Sequence, residues 1–147
     1  SESVSEICFS LSHSGDCAIC TVGDRPLGND IERIKEGRLK VADRFFAKEE
    51  LAWLYEAEGE EEQMRRMFRL WTMKESFLKA IGRGMSLSLQ DFVIHMDEES
   101  GRARVRHSVD AKYYHMREYR EIGGYCTAVC VQESADIAYS MIPVELF

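Results

Sequence analysis

Seven residues have types and spacings that could do metal or phosphate chemistry: Asp30 with Glu32, then Glu75, Lys74, Lys79, and Ser12 with His13. Residues i and i+2 of a strand share a face, so Asp30 and Glu32 would lie roughly 6.5–7 Å apart. Two carboxylates so placed can hold one hard cation, and Mg²⁺ takes oxygen ligands while keeping waters and phosphate oxygens in its shell. The plainer alternative is a solvated acidic strand end. Gly28, just upstream, permits close approach of another backbone. Glu75 is the natural third carboxylate if its helix packs on that strand; otherwise it forms an i,i+4 pair with Lys79, worth about 0.2–0.5 kcal/mol. Lys74 and Lys79 can neutralise phosphate oxygens or a leaving group, or they lay their stems on apolar surface and keep the ammonium groups wet. Ser12 and His13 precede a glycine turn and offer donors to an anion, or serve as structural hydrogen-bonding residues. His95, His107 and His115 lack metal-like spacing, and neither HExxH nor GxSxG occurs.

These groups need a frame. The stretch Arg69-Leu-Trp-Thr-Met-Lys-Glu-Ser-Phe-Leu-Lys-Ala-Ile-Gly82 reads as a long helix, and each residue turns about 100°. Met67, Leu70, Trp71, Phe77, Leu78 and Ile81 form one apolar arc. Lys74 falls inside it and Glu75 at its edge. A charge in an apolar arc is costly unless paired or turned to a polar cleft, and such breaches are expected where a site is built. The helix is expected from about Gln63 to Ile81, ended by Gly82-Arg-Gly84.

Upstream, Ile7–His13 alternates as a strand, Ser14-Gly-Asp16 turns, and Cys17–Val22 returns as a hairpin partner. Gly23-Asp-Arg-Pro26 is a second turn, and Leu27–Glu32 is extended. Short helices are expected over Leu39–Phe46 and Ala47–Ala57, with Glu58-Gly-Glu-Glu-Glu62 as an exposed acidic connector. Three strand regions follow: Phe92–Met96, Ala103–Ser108, and paired segments within Tyr113–Val131 broken near Gly123-Gly124. The tail from Asp136 to Phe147 is moderately apolar and suited to docking on the surface. Strands, then helices, then strands predict an α+β fold with an antiparallel sheet packed against a long helix.

The chain has 147 residues, 45% of them hydrophobic and 31% charged, which suits one soluble domain with a real core. The net charge of −7 argues against nucleic acid as the main partner. No apolar run approaches the ~20 residues that span a bilayer, so no membrane partner is expected. The N-terminus is acidic and polar, so no secretory leader is expected. Cys17 and Cys20 form a CxxC without a second pair, Cys126 and Cys130 share a strand setting, and the odd total of five cysteines fits reduced thiols in a cytoplasmic protein. Arg33, Lys35, Arg38, Lys40 and Arg44 form a basic run, either a solvated face or a patch that steers an acidic partner.

Four blocks in order carry a resemblance: Phe9-Ser-Leu-Ser-His-Ser-Gly15, Leu27-Gly-Asn-Asp-Ile-Glu32, Arg44-Phe-Phe46 with Glu49-Glu50, and Trp71-Thr-Met-Lys-Glu-Ser-Phe-Leu-Lys79 with Gly82 and Gly84. Together they resemble the 4′-phosphopantetheinyl transferases of the surfactin-synthetase-activating type, from about Phe9 to Val131. The resemblance implies transfer of the phosphopantetheine arm of coenzyme A to a serine of an acyl or peptidyl carrier protein, with release of 3′,5′-ADP, in fatty acid, polyketide or nonribosomal peptide synthesis. It implies Mg²⁺, with Mn²⁺ as a substitute, on Asp30, Glu32 and Glu75. Glu75 would also accept the serine proton, Lys79 would stabilise the leaving group, Lys74 would contact phosphate, and Ser12 and His13 would hold the 3′-phosphate. The basic run would face the carrier protein. Asn29 stands where the family usually has an aliphatic residue.

Such enzymes are about half as long again and built from two similar halves with the site at their seam. This chain matches the second half of that two-fold pseudo-symmetric fold and the strand before it. It is therefore expected to be a piece of a longer chain, to pair with a copy of itself as the trimeric holo-acyl-carrier-protein synthases do, or to have lost activity. The competing functions are a non-catalytic module binding coenzyme A or a carrier protein, and a metal-dependent phosphohydrolase.

Overall fold

Alternation of short apolar and polar residues makes β1 (Cys8–Ser14) and β2 (Cys17–Gly23) an antiparallel hairpin closed by Gly15 in a left-handed conformation, φ 55°. The computed structural model describes residues 6–82 and 87–144. The hairpin forms its own two-stranded sheet. Phe9 and Leu11 of β1 and Val22 of β2 leave their side chains exposed on its outer face.

A five-stranded antiparallel sheet makes up the rest, in spatial order β3-β7-β6-β5-β4. Its members are β3 (Leu27–Arg33), β4 (Val93–Asp97), β5 (Arg102–Arg106), β6 (Tyr114–Tyr119) and β7 (Tyr125–Gln132). Between β3 and β4 come a 3₁₀ turn (Leu39–Val41) running into α1 (Ala42–Phe45), then α2 (Lys48–Glu56), then α3 (Glu60–Ile81). The expected α+β architecture, antiparallel sheet against long helix, is what forms.

The apolar arc of α3 lies on β3 and β7. Leu70, Met73 and Phe77 are fully buried and pack in one core with Ala128 and Cys130 of β7, Met116 of β6 and Ile94 of β4. Phe77 meets the rings of Phe92 and Tyr114 at 4.7 and 5.1 Å between centroids.

The helix starts earlier than periodicity suggests. Glu60, Glu61 and Glu62, expected in a connector, form its first turn. Acidic side chains are favoured there because the N-terminal amides present partial positive charge. Gly82, φ 69°, closes the other end, its N–H donating to the Leu78 and Lys79 carbonyls. Arg83 and Gly84, the remainder of that expected stop, lie outside the described residues. No helix among the described residues is long and apolar enough to cross a membrane.

Beyond β7 the tail returns to the sheet. The Tyr119 hydroxyl donates to the Ala138 carbonyl at 2.6 Å, and Arg102 Nη1 donates to the Ala135 carbonyl at 3.1 Å. All five cysteines are free thiols.

Candidate active site

Strand alternation sends Gly28, Asp30 and Glu32 to the face of β3 that α3 covers. Gly28 is where strand and helix come closest: a Cβ there would sit 2.2 Å from the Ser76 carbonyl oxygen and 2.6 Å from the Ala80 nitrogen. Glycine is required by the contact itself, since those atoms are backbone and cannot step aside. This approach sets Asp30 against the helix turn bearing Glu75 and Lys79. Opposite Asp30 in β7 stands Ala128, opposite Glu32 Cys126, so small neighbours leave the carboxylates room.

Asp30 is 5% exposed. Lys79 Nζ lies 3.3 Å from its Oδ1. Its Oδ2 is buried without a partner. Burial pushes the Asp30 carboxyl up to about 7, helped by the negative charges of Glu32 and Glu75 and opposed by Lys79. Glu75, half-buried, is also raised, first by burial and then by Glu32, with Lys79 opposing. The three carboxylates therefore repel one another in a partly dehydrated seam. The i,i+4 alternative for Glu75 and Lys79 is not the pairing adopted, because the lysine reaches across to β3.

Lys79 Nζ also donates to Ser12 Oγ at 2.5 Å. Ser12 Oγ in turn lies 2.8 Å from the Asn29 carbonyl and 2.9 Å from Asn29 Oδ1. Asn29 is fully buried and is the hub of the hairpin's attachment. Its Nδ2 donates to the Ser10 carbonyl and to Thr21 Oγ1, both at 2.8 Å, and its backbone N–H donates to Ser10 Oγ at 3.1 Å. Sequence reasoning notes Asn29 only as standing where the family usually has an aliphatic residue. The available signal is the match between one buried amide and three hydroxyl-bearing strand positions, Ser10, Ser12 and Thr21.

His13 does not join this cluster. It projects from the opposite face of β1 to Ser12 and is exposed.

Lys74 corrects the expectation of a phosphate contact. It is fully buried and ion-paired to Glu50 Oε1 at 2.7 Å. Its ammonium also donates to the Phe92 carbonyl at 2.6 Å and to the Leu89 carbonyl. Three donors meet three acceptors, and none is left for a ligand. Burial lowers its pKa, with Glu50 working against that shift. Glu50 is held too, accepting from the Ala47 and Ile94 backbone N–H groups at 2.9 and 2.8 Å. The charge inside the apolar arc thus ties α3 to α2 and β4. A second such tie escapes sequence reasoning: Arg69 grips Glu118 through Nε and Nη2, both at 2.9 Å.

A divalent cation can be tested against this geometry. Among the described residues, no three His, Cys, Asp or Glu side chains are close enough together to hold a metal as they stand. The donor set nevertheless fits a hard cation. It consists of oxygens only, it carries excess negative charge, and one buried carboxylate oxygen has no partner. The ammonium of Lys79, 3.3 Å from Asp30 Oδ1, offsets part of that charge. The basic run, Arg33 with Lys35, Arg38, Lys40 and Arg44, is exposed just beyond Glu32.

The chain is similar to a holo-(acyl-carrier-protein) synthase from Bacillus anthracis solved in complex with CoA (3′,5′-ADP), with a TM-score of 0.59 over 75% of this chain and 96% of that one, at 20% identity. The family follows from sequence: residues 26–130 match the 4′-phosphopantetheinyl transferase superfamily, and the chain belongs to it. It is 40% identical over 93 residues to the 4′-phosphopantetheinyl transferase gsp of Aneurinibacillus migulanus, covering 63% of this chain and 39% of that one. It is 37% identical over 122 residues to the 4′-phosphopantetheinyl transferase Sfp of Bacillus subtilis, covering 83% and 54%. The chain spans about half the length of the curated relatives it matches.

Proposed function

We propose that this chain carries the metal and diphosphate side of a transferase that moves the 4′-phosphopantetheine group of coenzyme A to a serine of an acyl or peptidyl carrier protein. The observation that supports it most is Asp30: a buried carboxylate with one oxygen unpartnered, facing Glu75 and Lys79 across a glycine contact. Asp30, Glu32 and Glu75 would hold Mg²⁺ or Mn²⁺, and when bound that ion supplies Lewis-acid polarisation of the diphosphate oxygens. Glu75, its basicity raised by burial, takes the proton from the attacking serine hydroxyl. A new serine O–P bond forms and the P–O bond to 3′,5′-ADP breaks. Lys79, already donating toward this seam, neutralises the charge that develops on the leaving phosphate. Ser12 orients Lys79. Exposed His13 meets the outlying 3′-phosphate. The basic run past Glu32 faces an acidic carrier surface. The remaining contacts to coenzyme A come from the rest of a longer chain or from a second copy.

The test is mass spectrometry of an apo carrier protein mixed with the intact protein, coenzyme A and Mg²⁺. Gain of one phosphopantetheine group is expected, and Glu75→Ala removes it while leaving the fold intact. A carrier left unmodified by the folded protein overturns the reading.

That the three carboxylates do not form a ready metal-binding group among the described residues favours a second reading, a binding module that grips coenzyme A or a carrier without turnover. Calorimetry showing tight coenzyme A binding with no product supports it. Release of 3′,5′-ADP without any carrier would instead indicate a phosphohydrolase.

A further inference from the structure

The sheet face turned away from α3 carries a second, separate concentration of charge. Arg102 and Arg104 of β5, Arg117 and His115 of β6, and His95 of β4 line a groove of about 330 Å³. Register brings them together: His95 stands opposite Arg104, Arg104 opposite His115, and Arg102 lies between Arg117 on one side and Asp97 on the other. Like charges placed directly opposite on neighbouring strands are destabilising.

Arg117 is the most buried of the charged residues lining the groove. It is 6% exposed. Its Nε is buried without a hydrogen-bond partner, and the guanidinium forms no ion pair among the described residues. It lies 4.5 Å from the Tyr139 ring, contributed by the tail. That stacking fixes the plane of the guanidinium and leaves its fork of donors unanswered. The acids nearby are engaged. Glu118 is gripped by Arg69, and Asp97 accepts from Ser100 Oγ at 2.8 Å and from the Glu99 N–H at 3.1 Å within its own turn. A planar guanidinium without a hydrogen-bond partner, its Nε buried, flanked by two exposed arginines and two imidazoles, matches the oxygens of a phosphoryl group.

From this we infer that the groove binds a phosphoryl group of a small molecule, held by Arg117 from below and by Arg102 and Arg104 from the rim. Arg117 is recessed, so the ligand must enter the groove and a flat acidic protein surface does not reach it. The site is distinct from the seam between β3 and α3, which lies on the other face of the sheet. It does not depend on the transferase reading.

The four histidines of the chain give a position-specific readout. Inorganic phosphate is titrated at constant ionic strength into the intact protein, with acetate as a parallel arm, while histidine ring resonances are followed. Phosphate is expected to shift His95 and His115 saturably and to leave His13 unmoved, and acetate to shift none. Losing charge-assisted hydrogen bonds worth about 1.5–3 kcal/mol weakens binding by roughly tenfold or more in Arg117→Gln. Arg104→Gln sits on an exposed position and weakens binding without affecting folding, so it decides the matter if Arg117→Gln fails to fold. Absence of saturable shifts at His95 and His115, equal shifts at His13, or unchanged affinity in the folded variants overturns the proposal. Equal saturation by acetate overturns the phosphoryl assignment.

Discussion

Replacing Asp30 by asparagine tests the electrostatics of the seam without coenzyme A, carrier protein or turnover. The carboxyl is raised from its ordinary 3.8 to about 7 by burial and by Glu32 and Glu75. The native state therefore keeps a proton that the unfolded chain releases near pH 4. Stability from this group is fully present below about pH 4 and is lost as pH rises through about 7. A difference of some three pKa units corresponds to about 4 kcal/mol in total, lost at up to about 1.4 kcal/mol per pH unit. The side-chain amide of Asp30→Asn has no such proton to release. Urea unfolding of both proteins with a chelator present should show the wild type falling relative to Asp30→Asn between about pH 4 and pH 7. The attraction of Lys79 acts only on the ionised carboxylate and is already contained in the raised pKa, so it leaves the direction of the pH dependence unchanged. Adding Mg²⁺ should restore wild-type stability at pH 8, have little effect at pH 5 where protons compete, and leave Asp30→Asn unchanged. A stability difference that is flat with pH refutes the account of Asp30 as a buried acid repelled by its neighbours. A wild type indifferent to Mg²⁺ at pH 8 refutes the cation assignment.

Other outcomes follow from the ties between elements. Lys74→Met leaves Glu50 buried and charged and should cost about 3–5 kcal/mol in urea unfolding; adding Glu50→Gln should recover part of that loss. Arg69→Met strands Glu118, 8% exposed at its side chain, and should cost a similar amount, with less recovered by salt than at an exposed pair. Asn29→Leu removes the hub that joins the hairpin to β3 and leaves Ser10, Ser12 and Thr21 facing an apolar side chain. A loss of about 1–3 kcal/mol is expected, with hydrogen exchange quickening in β1 and β2 before the five-stranded sheet. Gly82→Ala places a Cβ at φ 69° and should cost about 1 kcal/mol, seen as a lower midpoint of thermal unfolding.

Much of this is legible in the chain because it rests on local patterns. Alternation over Cys8–Ser14 and Cys17–Gly23 marks the hairpin, and the three-to-four spacing of apolar residues marks the long helix to its final glycine. The two-residue spacing of Asp30 and Glu32 places both on one face, and Gly28 signals that another backbone can approach. Lys74 shows where periodicity stops. A helical wheel says that a side chain enters the core but not which partner waits there. Glu50 belongs to another helix and the Phe92 carbonyl to the approach of a strand, and both meet the lysine only through tertiary packing. Periodicity misplaces the beginning of α3 for a different reason. Glu60–Glu62 resemble a solvated connector until the dipole of the helix they begin is considered. Asn29 is undervalued by sequence because its partners lie in a hairpin whose placement on β3 no local rule predicts. The pairing of Arg102 with Arg117 needs the register of β5 and β6, which no turn signal specifies.

The glycine contact between β3 and α3 has a consequence for how the seam can change. Where side chains separate two elements, substitutions of different bulk adjust their spacing by small increments. Here main chain meets main chain at Gly28, so the spacing is set by the radii of carbonyl and amide atoms, which no core substitution alters. The acidic pair and the glutamate facing it can gain or lose individual members through mutation, but the width of the slot between them is inherited whole. Any tuning toward larger or smaller ions must therefore come from side-chain length at those three positions.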